Sequence, residues 1–189
     1  MRLAGGFTLI EVMVAVFILA VGIIGAAATH TVALRTRHQS GLMSSAVHLA
    51  SSLADSMRAN PDQMRLDDTL NPYLQLRYDG AADGPPPPIA RACHQDAACN
   101  AAQLASFDIA QLRQALHTSF PGGRVIVCRD QQVWNEARHA LAWDCAGAPS
   151  APIVIKLGWR TKQHDGRDAL DAAGAFAPSV SIVLAGAPG

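Results

Sequence analysis

Gly5-Gly6-Phe7-Thr8-Leu9-Ile10-Glu11 leads into the most apolar stretch of the chain. From Phe7 to Ala28 there are twenty-two residues, and Glu11 is the only charged one. A helix of that length crosses the roughly 30 Å hydrocarbon core of a bilayer. A carboxylate within such a span costs about 2.5–3.5 kcal/mol on insertion scales, so its presence argues for a use. The span itself offers no cationic partner. Cleavage after Gly6 would create one, because the freed amine of Phe7 has an ordinary pKa near 8 and is largely protonated at neutral pH.

The residues Gly6-Phe7-Thr8-Leu9-Ile10-Glu11 resemble the class III leader junction of type IV pilins and pseudopilins. The resemblance implies that prepilin peptidase cuts between Gly6 and Phe7 and that Phe7 becomes the N-methylated N-terminus. It also implies that Glu11 is the assembly carboxylate, meeting the N-terminal amine of a neighbouring subunit. Farther along, the resemblance extends loosely to PilV-like minor pilins, the type IV pilus modification proteins. It rests there on Cys93, Cys99, the helix around Ala102-Gln103-Leu104-Ala105-Ser106-Phe107-Asp108, and Leu116 with Phe120-Pro121-Gly122-Gly123 ahead of a strand holding Cys128. Major pilins usually carry a proline in the apolar half of the helix, and this chain has none there. That departure favours a minor subunit.

Charge adds little by itself. The 189 residues hold 15 basic and 15 acidic side chains, so no general electrostatic case for nucleic acid arises. Arg2 precedes the span while Arg35 and Arg37 follow it, and the positive-inside rule alone does not favour a cytoplasmic N-terminus. The leader resemblance and four cysteines beyond the span place the N-terminus in the cytoplasm and the rest outside it. The leader, residues 1–6, is too short for an ordinary secretory signal, and its cut would leave the span in the mature chain.

Past the span, Leu42, Ala46, Leu49, Ala50, Leu53 and Met57 fall on one helical stripe, and no proline interrupts Phe7 to Asn60. Asn60-Pro61 stops the helix, since a residue before proline avoids the α region. One helix of about 52 residues follows, on the order of 80 Å long. We divide the chain into leader 1–6, transmembrane helix 7–28, amphipathic extracytoplasmic helix 29–60 and globular head 61–189. In the head, Tyr73 to Tyr78 reads as a short strand, and Gly84-Pro85-Pro86-Pro87-Pro88 as a polyproline spacer. Asn100 with Gln103 forms a capping box opening a helix to about Thr118. Arg124–Arg129, His139–Cys145, Ile153–Arg160 and Ser179–Ala185 read as strands, with an exposed loop from Thr161 to Pro178. Consecutive strands favour an antiparallel sheet. The fold class is therefore α+β, a pilin-like arrangement of one long N-terminal helix on a small antiparallel head.

Four cysteines allow three pairings. We favour Cys93–Cys99, which closes a loop before the helix cap, and Cys128–Cys145, which joins two strands that could be neighbours. Zinc on Cys93, His94, Cys99 and Cys128 or Cys145 is disfavoured, because the spacing is unlike a zinc knuckle. Asp165, Asp168 and Asp171 lack the order of a calcium loop. No serine, histidine or glycine pattern supports catalysis, so no catalytic residue, metal or cofactor is expected. The resemblance implies assembly instead. Its partners are prepilin peptidase, other major and minor pilins, the inner-membrane pilus assembly machinery and membrane lipid. A type II secretion pseudopilin shares the leader and helix. A signal-anchored extracytoplasmic binding domain is the alternative of another class.

Overall fold

The computed structural model describes residues 8–89, 93, 98–162, 167–170 and 175–184. The elements run α1 (Leu9–Ala59), α2 (Pro61–Met64), β1 (Arg77–Asp79), α3 (Ala101–Ser119), β2 (Arg124–Arg129), β3 (Trp134–Asn135), β4 (Ala140–Leu141), β5 (Ile153–Gly158) and β6 (Val180–Val183). The result is one long N-terminal helix packed on a small antiparallel sheet, an α+β fold of pilin type.

Two compact units divide the chain, Met1–Leu42 and Met43–Gly189. The first holds the apolar part of α1. The second holds the remainder of α1 with α2, α3 and every strand. Within this second unit the predicted stripe becomes core. Ala46, Ala50, Leu53 and Met57 of that stripe are buried, Leu49 is partly so, and Ala54 beside it is buried as well. Small alanines at three of these positions allow close approach of the backbone, while Leu53 and Met57 supply the apolar area.

The sheet order is β1-β2-β5-β6, antiparallel throughout. Register pairs Val125 with Leu157 and Val127 with Ile155, so these four share one face, and all are fully buried. The opposite face carries Ile126, Cys128, Val154 and Lys156, also buried. β5 is thus covered on both sides, which explains its nearly continuous apolar run.

Helix α3 starts as its sequence foretold. The Asn100 side chain accepts from the Gln103 N–H at 2.9 Å, and the Asn100 N–H donates to Gln103 Oε1 at 3.1 Å. Ala105, Phe107, Ile109, Leu112 and Leu116 are buried, and the helix ends before Gly122, whose φ of 58° suits glycine.

Three strand expectations are corrected. Tyr73 to Tyr78 is mostly a turn, with β1 beginning only at Arg77. Asn71 is the cause: its side-chain oxygen accepts from the Tyr73 N–H at 3.0 Å, and its carbonyl accepts from Leu74 and Gln75. Such a local side-chain bond competes with a strand ladder. His139 to Cys145 contributes only Ala140–Leu141, paired with Trp134–Asn135 in a separate two-stranded hairpin. Residues 142–145 turn away because two of their carbonyls serve Lys156 and the Trp143 indole N–H donates to the Phe176 carbonyl. The expected strand Ile153–Arg160 stops at Gly158, where Trp159 packs on Phe120 at 5.2 Å between ring centroids.

Candidate membrane and assembly segment

The apolar first part of α1 begins with a cap. Thr8 precedes the helix, and its carbonyl accepts from the Glu11 N–H at 3.1 Å and from the Val12 N–H at 3.3 Å. The Thr8 hydroxyl oxygen also accepts from the Glu11 N–H, at 3.4 Å. Thr8 and Glu11 thus stand as N-cap and third helical residue, one half of a capping box. Thr-x-x-Glu is legible in the sequence, and it adds Thr8 to the residues singled out above. Glu11 lies in the first turn, where the exposed N–H groups of the helix end favour a negative charge.

Around Glu11 the surface is apolar on every side. Leu9, Ile10, Phe17 and Ile24 are each 69–79% exposed, and the most apolar window of α1 has mean hydropathy 2.7 with none of it buried. Hydrocarbon of this extent facing water would be strongly unfavourable, and a bilayer or a bundle of like helices relieves it. The helix is long and apolar enough to cross a membrane. Thr29 and Thr31 donate to the carbonyls of Ala26 and Ala27 at 2.8 Å, and Thr36 donates to Val32 at 3.1 Å. All three lie past Ala28, and each hydroxyl is satisfied within its own helix. Among the described residues, Glu11 has no cationic partner. Gly6 and Phe7, the expected cleavage and methylation residues, lie outside the described residues.

The cysteines form two bonds in the second unit. Cys93 joins Cys99 with Cα atoms 5.7 Å apart, and Cys128 joins Cys145 with Cα atoms 6.2 Å apart. The first bond sits beside α3, with Cys93 Sγ 3.8 Å from the Gln103 carbonyl. The second ties β2 to a loop rather than to a neighbouring strand. With no free cysteine, none of the four is available as a thiolate for zinc.

Two buried polar clusters escaped the reading of the sequence. Lys156 and Asp130 are 0% and 1% exposed, with Nζ 2.5 Å from Oδ2. Lys156 also donates to the carbonyls of Ala142 and Asp144 at 2.8 and 2.6 Å. Burial acts to raise the Asp130 carboxyl, but the Lys156 ammonium and the N–H groups of Gln132 and Ala146 outweigh it and hold it below the usual carboxylate range. A lysine inside Ile153-Val154-Ile155-Lys156-Leu157 was the only visible signal, and its partner lies 26 positions away. In the second cluster, the Tyr73 hydroxyl donates to Asp108 at 2.7 Å and accepts from the Asn60 amide at 3.3 Å. Burial pushes the Asp108 carboxyl up, against hydrogen bonds from Tyr73 and Ser56. Burial and the adjacent Asp108 push the Tyr73 hydroxyl up in turn.

A long helix carrying one acid near its start, set on a small antiparallel head, defines a pilin-like architecture. Residues 1–27 match the family model of the prokaryotic N-terminal methylation motif, which is typical of type IV pilin-like prepilin leaders. The match supports a prepilin of the pilin or pseudopilin kind anchored in a membrane. Comparison with curated proteins and with solved structures gave no match.

Proposed function

We propose that the chain is a minor pilin of a type IV pilus, stored in the inner membrane and then built into the filament by its long helix. The observation that carries this reading is the methylation motif at residues 1–27 running into an apolar helix whose first turn holds Glu11. Prepilin peptidase cuts between Gly6 and Phe7, and Phe7 is methylated. The helix spans the bilayer once over residues 7–28, with the N-terminus cytoplasmic and the head, 61–189, periplasmic. Residues 29–60 carry the helix from membrane to head. In a low-dielectric helix bundle, Glu11 of one subunit and the Phe7 ammonium of the next attract far more strongly than in water, and the pair sets axial register. The subunit helps prime assembly, contributes to adhesion at the cell surface, and works alongside other pilins and the inner-membrane assembly machinery.

Mass spectrometry of the mature N-terminus tests processing: methyl-Phe7 is expected, and a mature chain retaining Met1 overturns the proposal. Sheared filaments test assembly. Glu11→Val should leave the chain in the membrane and remove it from pili. Wild-type levels of this variant in pili would show that Glu11 has no such role. A type II secretion pseudopilin carries the same leader, and the filament that co-purifies with the chain separates the two.

A further inference from the structure

The three acceptors of the buried Lys156 ammonium come from the two segments that one disulfide joins. Asp130 lies two residues beyond Cys128, and Ala142 and Asp144 lie just before Cys145. The traffic runs both ways. The Ala146 N–H donates to Asp130 Oδ1 at 3.2 Å, and the Gln131 N–H donates to the Ala146 carbonyl at 3.3 Å. Gly147 presses so closely on the backbone of Arg129 and Asp130 that no Cβ would fit. Residues 142–147 make no ladder bond to the four-stranded sheet, whose pairings involve β1, β2, β5 and β6 only.

Lys156 itself sits on the most buried strand, and the carbonyls of Ala142 and Asp144 cover its ammonium. If residues 142–147 lift away, the ammonium keeps one carboxylate and loses two carbonyls, while Asp130 loses the Ala146 amide. A buried charge short of partners is strongly unfavourable. Closing the segment without a covalent bond means ordering a loop between positions 17 apart in sequence. The bond removes that entropy from the open state.

We propose that Cys128–Cys145 is an oxidation-gated latch on the Asp130–Lys156 pair: residues 142–147 close over Lys156 only once the two sulfurs are joined. The chemistry is thiol–disulfide exchange. One thiolate attacks the disulfide of an exchange partner, the second attacks the mixed disulfide, and the partner leaves as a dithiol. It takes up the two electrons, and two protons leave the cysteine thiols. A head made in a reducing compartment therefore stays open at this edge until an oxidising one is reached.

The test uses the full chain in detergent micelles, with Cys93→Ser and Cys99→Ser so that one disulfide remains. Amide hydrogen exchange is followed before and after reduction with dithiothreitol. The amides of Ala146 and Gln131, whose bonds cross between the two joined segments, should exchange faster by roughly 30-fold or more. The ladder amides of β2 and β5 should change far less. Unchanged protection at Ala146 and Gln131, or an equal loss throughout β2 and β5, overturns the latch. Should the serine background not fold, the same amides are followed in the wild-type chain, with peptide mapping to identify the open disulfide. Linkage supplies a reciprocal readout. Lys156→Met should make Cys128–Cys145 easier to reduce, shifting the half-reduction ratio of a glutathione buffer on the order of tenfold. A ratio equal to wild type also overturns the proposal. If Lys156→Met does not fold, the exchange measurement on the unsubstituted residues decides.

Discussion

Asp130 and Asp108 are two carboxylates in one small head whose environments push them in opposite directions. Both feel burial, which disfavours charge. At Asp130 the Lys156 ammonium and two backbone N–H groups reverse that tendency, whereas at Asp108 the bonds from Tyr73 and Ser56 do not. The signs for stability follow. The folded value of Asp130 lies below the ordinary 3.8, so its contribution is complete above that pH and is lost as pH falls beneath it. The folded value of Asp108 lies above 3.8, so its contribution is complete below that pH and is lost as pH rises through the folded value. Asp108→Asn should therefore flatten the loss of stability on the neutral side of pH 3.8, measured by thermal unfolding across a pH series in detergent. Asp130→Ala leaves an uncompensated buried ammonium and should destabilise the head by about 3–5 kcal/mol. Asp130→Asn with Lys156→Met removes both charges and keeps an oxygen for the Gln132 and Ala146 amides. It should recover most of that loss in denaturant unfolding followed by tryptophan fluorescence.

At the level of elements, the head is closed by contacts that short-range patterns do not reveal. Arg129 reaches from β2 to both oxygens of Asp68, at 2.9 and 2.7 Å, holding the segment after α2 against the sheet. Asn60, just past α1, donates to the carbonyl of Ala101 at 2.8 Å and so ties the end of one helix to the start of another. The cap of α3 is local by contrast. Asn100→Ala should cost about 1 kcal/mol, read as a shifted unfolding midpoint. Gly147→Ala should be far more damaging, since its new methyl group would collide with the Arg129 carbonyl. The expected result is early protease cleavage between β4 and β5 at temperatures where wild type resists. The sequence made the Asn100–Gln103 box visible because both partners lie within one turn. It could not make the Gly147 contact visible, because that depends on where two distant backbones cross.

For the whole molecule, the dominant fact is the apolar surface of the first unit. It calls for lipid or neighbouring helices whatever the head does. Ile18→Arg should raise the cost of insertion by about 2.5–3.5 kcal/mol. Alkaline carbonate extraction then distinguishes the two chains: wild type should remain with the membrane pellet, and the variant should be depleted from it.

What the amino-acid order settled alone were the features governed by neighbours. The methylation motif, the apolar run with its lone Glu11, the proline that ends α1 and the stripe from Ala46 to Met57 all depend on residues within a few turns of one another. Two strand readings failed for different reasons: at Tyr73–Tyr78 the nearby Asn71 drew the backbone into a turn, and at His139–Cys145 the distant Lys156 claimed two carbonyls. Only the tertiary structure decided that Lys156 would be buried against Asp130 and that Cys145 would leave the sheet to cover it. The physical reason is range. Hydrophobic periodicity is written residue by residue, whereas a buried charge finds its partners wherever the packed chain brings them.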